Sequence, residues 1–341
     1  MGKPSRKLSL ARTQIEALEM AEGFFQSQVL FSLNELGVFD DLAEGPRTLD
    51  EIAVETGTDL DALERLANAG VALGLLAREE GRYRNGPLPD QVLVSGRPGY
   101  VGNWMRLMAR WMRAWTDLTE NVRTGKPVQD ASLHLGGDPA STRDFVLGMD
   151  DYASLRGSEI VRYLDFDDGP HILDLGGGPG RYAILFAKHW PDLRVTIFDL
   201  PEVVKIADEN CRASGLDGRV RTEAGNYLTD DLPGEYDVVF LSDVLHQEDP
   251  HTCELILRKS HQVLRPGGRI VIQAMFLNED RVSPRWPVLH SVLMKLLYGG
   301  GRAYTAGETM NLLEEAGFSN CRHQRMSLLN VNSLIFAAKD A

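Results

Sequence analysis

A cluster of four glycines occupies the segment 174–180, behind a leading aspartate. The apolar run 171–173 before it predicts a strand, and the spacing of apolar residues over 182–187 predicts a helix. Glycines at such a turn lack Cβ atoms, so a ligand can approach the backbone and the N-terminus of the helix. A second predicted strand, 195–198, ends in Asp199, whose carboxylate can accept two hydrogen bonds from a ribose diol. These residues predict a nucleotide-binding βα unit.

The chemistry of the ligand follows from the acidic residue that leads the loop. Dinucleotide-binding loops carry Gly-x-Gly-x-x-Gly, whereas the last glycine here, Gly180, comes one residue early. Asp174 would repel a pyrophosphate but suits an ammonium group. S-adenosylmethionine carries a sulfonium, an amino group and no phosphate. Asp174 and Asp199 together therefore favour this methyl donor, and a dinucleotide remains the alternative.

Two histidines are candidates for acid–base chemistry. His246 comes just after the predicted strand 238–242, at the edge where open α/β sheets place their ligands. Its unperturbed pKa lies near neutrality, as a general base requires. The alternative for His246 is a cap of the following helix. His290 lies on the apolar segment 287–294, where a hydrogen-bonded core histidine is an equally good interpretation.

Composition excludes several classes of function. The chain has 341 residues, 43% hydrophobic content and a net charge of −13, which argues against binding a nucleic-acid backbone. The three cysteines form no CxxC pair, so we expect a reducing cytoplasmic location and no metal site. No apolar segment is long enough for a signal peptide or a membrane span, so we expect no membrane partner.

The N-terminal part follows a winged-helix pattern. Helical spacing over 13–36 ends at Gly37, Thr48 begins a capping box, Asp59 or Asp61 begins a further helix, and a hairpin follows at 77–84. The presumed recognition helix, 59–68, has one arginine against three acids, which disfavours DNA binding and leaves dimerisation.

A helical stretch over 100–123 is rich in large apolar side chains. Trp104, Met108, Trp111 and Trp115 share one face of it. Core or dimer packing explains this face, and an aromatic wall over a flat substrate is the alternative. Another helix leads from Phe145 to about residue 164.

From Gly169 onward, strands alternate with helices, as a doubly wound sheet requires. The predicted strands cover 171–175, 194–198, 219–223, 236–242, 268–274, 317–324 and 333–338, and the predicted crossover helices cover 180–189, 202–214, 250–264 and 306–316. No helix separates the last two strands, so we expect them to form an antiparallel hairpin at the edge of the sheet.

The order and spacing of these motifs resemble the S-adenosylmethionine-dependent O-methyltransferases of the plant caffeate and bacterial polyketide type. The resemblance covers about residues 13–339 and depends most on five segments, 174–180, 198–201, 224–226, 241–246 and 263–268. It implies an α/β fold: a Rossmann-like class I methyltransferase domain with an N-terminal all-α winged-helix dimerisation domain. The expected organisation is a disordered lead at 1–12, the winged-helix dimerisation domain at 13–99, a helical linker at 100–165 that contributes to the substrate pocket, and the catalytic domain at 166–341. It also implies a homodimer that acts on a small-molecule acceptor.

The resemblance also assigns site residues. It implies that S-adenosylmethionine, which becomes S-adenosylhomocysteine, is bound by Asp174, Gly176, Gly178, Asp199, Leu200, Asn226, Tyr227 and Ser242. His246 aligns with the general base, and His290 faces the same pocket as a second catalytic candidate that also contacts substrate. The remaining substrate-binding residues are Trp104, Met108, Trp111, Phe145, Met149, Arg302 and Tyr304. Asn226 replaces the usual aspartate beside the adenine amine, and its carbonyl oxygen can still accept that hydrogen bond.

The chain departs from the family where plant members support the histidine with two glutamates. Those positions are Ala274 and Ala303 here. Either His246 acts with little help or another residue takes over. Asp243 and Glu248 are near in sequence, but we expect Asp243 to point away from His246.

These departures keep other functions open. The expected reaction is O-methylation of an aromatic or polyketide-like hydroxyl. The alternatives are C- or N-methylation of a bulky aromatic or tetrapyrrole-like substrate, a non-methylating reaction on the same scaffold, or a winged-helix regulator that senses the cofactor.

Overall fold

The structure is a computed structural model that describes residues 10–166, 168–216, 218–327 and 331–341. Most of the predicted disordered lead, residues 1–9, lies outside these ranges, and the first helix begins at Leu10. The chain divides into two compact units, Met1–Ala109 and Arg110–Ala341. The division falls inside the helix Gly102–Thr116, between the predicted domain limits at 99 and 165.

The N-terminal unit contains helices and a small sheet. Its elements are α1 (Leu10–Glu22), α2 (Phe24–Glu35), α3 (Val38–Asp41), β1 (Arg47–Thr48), α4 (Leu49–Thr56), α5 (Leu60–Ala72), β2 (Leu76–Glu79), β3 (Arg82–Asn85), α6 (Pro87–Val92) and the first part of α7 (Gly102–Thr116). The strands form an antiparallel sheet in the order β1-β3-β2, which is the wing. The prediction of one continuous helix over 13–36 is wrong, because the segment forms two helices, α1 and α2, that meet at Gly23.

Local signals in this unit act as the sequence predicts. Thr48 accepts a hydrogen bond from the Glu51 backbone N–H while Glu51 accepts one from Thr48, which completes the capping box. Asp59 caps α5 through the Ala62 N–H. Each such cap stabilises its helix by about 1 kcal/mol. Leu33, Ile52, Leu63 and Tyr83 form the centre of the core, so the predicted winged-helix arrangement is confirmed.

The C-terminal unit is built on a seven-stranded sheet. Its elements are α8 (Leu118–Thr124), α9 (Pro139–Ile160), β4 (His171–Leu175), α10 (Arg181–His189), β5 (Arg194–Asp199), α11 (Pro201–Ala213), β6 (Val220–Ala224), β7 (Tyr236–Ser242), α12 (Pro250–Val263), β8 (Leu264–Ala274), α13 (Arg285–Leu297), α14 (Ala306–Glu315), β9 (Ser319–Arg325) and β10 (Ser333–Ala338). The strand order is β6-β5-β4-β7-β8-β10-β9. The first five strands in this order, β6, β5, β4, β7 and β8, are parallel to one another.

The predicted edge hairpin is confirmed, because β9 and β10 pair antiparallel and β9 lies at the edge. Strand β8 begins at Leu264, earlier than the predicted 268.

Helices cover both faces of this sheet, as parallel strands require. Alternate residues of β4 show the two faces: Leu173 packs in the cluster that includes Ile256 of α12 and Leu313 of α14. Ile172 packs in the opposite cluster, with Phe186 of α10. Burial on both faces fixes the register of the central strands. The sheet order changes direction between β4 and β7, and ligands bind at the carboxyl ends of strands at such a point.

Candidate active site

The turn between β4 and α10 depends on its glycines. Gly176, Gly178 and Gly180 all have positive φ, at 69°, 55° and 76°. A Cβ on Gly176 would lie 2.8 Å from Cγ2 of Val244, so no larger residue fits there. Side chains at Gly178 would meet no atom of the protein, which leaves its backbone open to a ligand.

Asp174 is a buried carboxylate at the end of β4. It is 1% exposed, and neither of its oxygens has a hydrogen-bond partner. Burial and then the negative charge of Asp199 raise the pKa of Asp174 to about 7, and the backbone N–H of Ala183 acts in the opposite direction. A partnerless buried carboxylate costs free energy, which a bound cation would relieve.

Asp199 occupies the tip of the neighbouring strand, β5. Its Oδ2 accepts a hydrogen bond from the Gly178 N–H at 2.8 Å, and its Oδ1 accepts one from the Leu200 N–H at 2.7 Å. Burial outweighs these two hydrogen bonds and raises the pKa of Asp199 to about 6. The backbone thus fixes the carboxylate and leaves a lone pair on each oxygen for a diol.

A cavity of about 370 Å³ opens over this edge of the sheet. The eight predicted cofactor-binding residues all line it: Asp174, Gly176, Gly178, Asp199, Leu200, Asn226, Tyr227 and Ser242. The tertiary structure therefore brings all of them together, and their individual roles stay predictions.

Hydrogen bonds fix the side chains of Tyr227 and Asn226, two of the residues that line the cavity. The Tyr227 hydroxyl donates to Oε1 of Glu248 at 3.0 Å, and burial raises the pKa of Glu248. Oδ1 of Asn226 accepts a hydrogen bond from the Leu228 N–H at 2.9 Å. The oxygen predicted to accept from adenine is therefore partly used by the loop, with one lone pair left.

These residues fit S-adenosylmethionine. The partnerless carboxylate of Asp174 suits its ammonium group, and the fixed carboxylate of Asp199 suits the ribose diol. The cavity lining is mainly acidic, because Glu248 and Asp243 line it together with Asp174 and Asp199. Arg181 is the basic residue of the lining, and its charge is already paired with Asp150. A sulfonium ligand matches that charge, and a pyrophosphate does not.

The predicted substrate-binding residues on α7 and α9 divide into three groups. Phe145 and Met149, on α9, line the cavity. Trp111 packs on Phe145 with ring centroids 6.3 Å apart and does not itself line the cavity. Trp104 and Met108 belong to the N-terminal unit, and their contact with substrate stays a prediction.

Arg302 and Tyr304, also predicted to bind substrate, are not among the residues that line this cavity, and their contact with substrate stays a prediction. Arg302 forms an ion pair with Glu308 at 2.8 Å. Tyr304 lies in the core, where its hydroxyl donates to the backbone oxygen of Glu248 at 2.7 Å. Neither residue lines the cavity, and both instead hold the segment that follows His246, whose backbone oxygen accepts a hydrogen bond from the Arg302 N–H.

The two candidate catalytic histidines lie against each other. The rings of His246 and His290 are 4.7 Å apart between centroids, with planes at 77°. His246 is on the short turn after β7, beside rather than among the cavity-lining residues, and its side chain is 12% exposed. Asp249 caps the next helix, so His246 does not serve as that cap.

Burial governs the protonation of both rings. Burial, and then His290, hold the pKa of His246 well below its usual value. Burial, and then Arg156, lower the pKa of His290 to about 4, and its Nδ1 has no hydrogen-bond partner. Both imidazoles are neutral at pH 7, the state in which a ring nitrogen can accept a proton.

The predicted direction of Asp243 is wrong. Its Oδ1 lies 3.9 Å from Nδ1 of His246, and its side chain faces the histidine. The reason is the backbone, because Asp243 adopts φ 56°, and this turn reverses the alternation that a continued strand would impose.

Sequence reasoning missed a cluster of polar groups behind Asp243. Tyr152 and Asp243 line the cavity, and Arg156 donates hydrogen bonds to the Tyr152 hydroxyl and to Oδ1 of Asn332. The spacing of Tyr152 and Arg156, four residues apart on α9, was a visible helical pairing. The hydrogen bond from Arg156 to Asn332 joins distant parts of the chain, and spacing does not predict it.

In the described part of the chain, no helix is long and apolar enough to cross a membrane. Nor do its His, Cys, Asp and Glu side chains form any group of three that could hold a metal ion.

Comparison with known proteins gives consistent matches. Residues 115–319 match the family model of the O-methyltransferase domain, and residues 18–95 match that of the O-methyltransferase dimerisation domain. The 3-hydroxy-5-methyl-1-naphthoate 3-O-methyltransferase of Streptomyces sahachiroi is 32% identical over 94% of each chain. An N,N-dimethyltransferase of Streptomyces rimosus is 31% identical over 94% of this chain and 95% of its own length. The crystal structure of human N-acetylserotonin methyltransferase in complex with S-adenosylmethionine superimposes with a TM-score of 0.87 and 28% identity, over 99% of this chain and 100% of its own.

Proposed function

The chain belongs to the S-adenosylmethionine-dependent O-methyltransferases that carry an N-terminal dimerisation domain, and we propose that it methylates a hydroxyl of a bulky aromatic or polyketide-like molecule with His246 as general base. It is a methyltransferase, and its cofactor is S-adenosylmethionine. The observation that carries the proposal is a single cavity in which the acidic pair Asp174 and Asp199 is continuous with apolar side chains of α9.

The chain's own groups bind and orient the cofactor. Asp174 holds its ammonium group and Asp199 its ribose diol, while Gly176 and Gly178 let the backbone approach its methionine part. Leu200 and Tyr227 flank the adenine. When bound, S-adenosylmethionine supplies a methyl group on a positively charged sulfur.

The acceptor is proposed to lie along α9. Phe145, Val146 and Met149 give this side of the cavity an apolar surface that suits a flat aromatic ring. The naphthoate and acetylserotonin relatives act on aromatic molecules, which supports the same class here. The N,N-dimethyltransferase relative favours an amine as the second candidate acceptor.

His246 is proposed to remove the proton of the acceptor hydroxyl. Its position after β7, at the carboxyl edge of the sheet, places it near Val244, Gln247 and Glu248, all of which line the cavity. Proton removal by a positioned base contributes about 10²- to 10⁴-fold to a rate, and alignment of the reacting atoms supplies much of the remainder.

The first test is calorimetry with S-adenosylmethionine and S-adenosylhomocysteine on the wild type and the Asp199→Ala variant. We expect binding by the wild type and a large loss in the variant. Absence of binding by the wild type would refute the proposal.

The second test is transfer of a labelled methyl group to a panel of hydroxynaphthoates, tetracyclic phenols, N-acetylserotonin and an aromatic dimethylamine precursor. Transfer to a phenol supports the proposal, and transfer to the amine alone supports the second candidate. His246→Gln should lower kcat at least about 10²-fold with unchanged affinity for S-adenosylhomocysteine. An unchanged kcat would remove His246 from the reaction.

We propose that the dimerisation domain makes the enzyme a homodimer. Helices α1 and α2 expose apolar side chains, of which Met20 is 85% and Leu18 59% exposed, and the family's dimerisation model matches residues 18–95. Sedimentation should give twice the monomer mass, and Leu18→Asp combined with Phe25→Asp should give the monomer. A monomeric wild type would contradict this.

We also propose a cytoplasmic location, which the free thiols of Cys211, Cys253 and Cys321 support. Cell fractionation is the measurement that checks it.

A further inference from the structure

Asp243 is held at the end of β7 by two groups from elsewhere in the chain. Its backbone N–H donates to the Gln273 carbonyl at 2.9 Å, and Oδ2 accepts from Nδ2 of Asn332 at 3.2 Å. Its positive φ of 56° lies in the left-handed region, which aspartate and asparagine tolerate better than most residues. The carboxylate is therefore fixed in one orientation.

The other carboxylate oxygen has no partner. Oδ1 of Asp243 is buried and accepts no hydrogen bond, and Nδ1 of His246 lies 3.9 Å from it. Closing this gap to hydrogen-bond length takes a movement of about 1 Å. A buried acceptor without a donor, aimed at an imidazole nitrogen, is the arrangement that selects which nitrogen carries the proton.

Several titratable side chains surround Asp243 and His246. Arg156 lies near enough to Asp243 and His290 to act on both, and Tyr152 and Tyr182 face Asp243 with pKa values raised by burial. Burial raises the pKa of Asp243 itself to about 6, with Arg156 opposing the shift. The carboxylate is therefore ionised at pH 8.

A carboxylate beside His246 would supply the charge that the two plant glutamates supply in related enzymes. The positions of the two plant glutamates, Ala274 and Ala303, are both buried here and carry no charge. Because burial and His290 disfavour the protonated form of His246, a nearby negative charge is what would stabilise the imidazolium as it forms.

We propose that Asp243 is the positioning residue for His246, accepting its Nδ1–H so that Nε2 is left to take the proton of the acceptor hydroxyl. The inference rests on the proposed role of His246 as general base. In the step, the proton passes from the hydroxyl to Nε2, and the electron pair of the broken O–H bond stays on the oxygen that bonds to the methyl carbon. The bond between that carbon and the sulfur of S-adenosylmethionine would break, and its electron pair would leave with S-adenosylhomocysteine. The charge of Asp243 then stabilises the imidazolium without itself taking the proton.

Asp243→Asn is the sharpest test because it preserves size and tolerates the left-handed backbone. Asn332 donates to this side chain, so the introduced amide turns its oxygen toward Asn332 and its NH2 group toward Nδ1 of His246. A donor there forces the proton onto Nε2, the wrong tautomer for a base. We therefore expect the variant to fold normally and lose the base.

The tautomer is read directly by nitrogen NMR of histidine-labelled protein saturated with S-adenosylhomocysteine at about pH 8, with His246 assigned through His246→Gln. The wild type should show a protonated Nδ1, and Asp243→Asn a protonated Nε2. The matched control is Asp237→Asn at the opposite end of β7, whose carboxylate accepts from the His171 N–H. It should leave the His246 signals unchanged. A wild-type His246 protonated on Nε2, or no change in Asp243→Asn, overturns the inference.

Activity provides the second readout, with the phenol from the panel that gives the highest turnover. Asp243→Asn should lower kcat at least about 10²-fold with KM and the Kd for S-adenosylhomocysteine within about twofold. Unchanged kcat in Asp243→Asn alongside an inactive His246→Gln refutes the role of Asp243 alone. Unchanged kcat in His246→Gln refutes the proposed base as well, so the two failures are distinguishable.

Discussion

Replacing Asp174 by asparagine should make the ligand-free protein more stable and the cofactor site weaker. The carboxylate of Asp174 is buried without a hydrogen-bond partner, and burial raises its pKa from 3.8 to about 7. The folded state therefore holds a proton that the unfolded state has already released between about pH 4 and pH 7. Because the folded state binds more protons, stability falls as the pH rises through this window.

The size of the effect follows from the shift. Each pKa unit corresponds to about 1.4 kcal/mol, so the destabilisation by Asp174 is about 2 kcal/mol at pH 5 and about 4 kcal/mol above pH 7, where it is complete. Asparagine has nearly the same shape and no charge. Asp174→Asn should therefore raise the free energy of unfolding by up to these amounts, with the larger gain at pH 8.

Binding should show the opposite trend. At about pH 6, roughly nine-tenths of Asp174 is protonated in the ligand-free protein, and the ammonium group must displace that proton. The Kd of the wild type for S-adenosylhomocysteine should then be about tenfold higher at pH 6 than at pH 8. Loss of a charge-assisted hydrogen bond in Asp174→Asn should raise Kd about 10- to 100-fold at pH 8 and remove most of the pH dependence.

Urea unfolding of both proteins at pH 5 and pH 8 measures the stability, and calorimetry at pH 6 and pH 8 measures the affinity. S-adenosylhomocysteine carries the same ammonium group as the methyl donor. A variant that is less stable than the wild type at pH 8 would refute the argument from burial. A wild-type Kd independent of pH would show that Asp174 does not bind the ammonium group.

Three further substitutions test other parts of the structure. Gly176→Ala should destabilise the fold by about 1 to 3 kcal/mol and weaken S-adenosylhomocysteine binding, because its Cβ would meet Val244 and its φ is positive. The control is Gly215→Ala, at a glycine with a similar φ and open space around it, which should lose stability but leave this binding unchanged. Equal binding by these two variants in calorimetry would contradict this. Asp59→Ala should cost about 0.5 to 2 kcal/mol in urea unfolding by removing the cap of α5, with unchanged cofactor affinity, and an unchanged midpoint would show that the cap contributes nothing. Phe145→Ala should raise the KM for the acceptor with little change in cofactor Kd, and the reverse pattern in steady-state kinetics would assign its side chain to the cofactor.

Signals that act within a few residues could be interpreted from the sequence. The capping box at Thr48, the cap at Asp59 and the alternation of strands and helices after Gly169 depend on spacing and on turn chemistry, and the structure confirms them. The glycine loop and Asp199 were likewise visible, because a βα unit brings the ends of consecutive parallel strands to one edge of the sheet.

Side-chain directions at turns depended on the tertiary structure. Asp243 faces His246 because its backbone takes a positive φ and because Asn332, far along the chain, holds its carboxylate. Tyr304 lies in the core because its hydroxyl meets the backbone of Glu248. Sequence spacing alone does not specify such contacts, since one unusual dihedral angle reverses the direction of a side chain.

The sequence by itself thus indicated the fold class from periodicity and the order of the strands, and the cofactor from the glycine loop with its two aspartates. The resemblance of its motifs to a family supplied the other residues that line the site. The tertiary structure decided how those groups are charged and which neighbours they have. Asp174 has a raised pKa because packing removes its carboxylate from water and places it near the charge of Asp199. Asp243 faces His246 because its carboxylate is held by Asn332, which lies far along the chain. Burial and long-range contacts are properties of the folded chain, and they set the pKa values on which the chemistry depends.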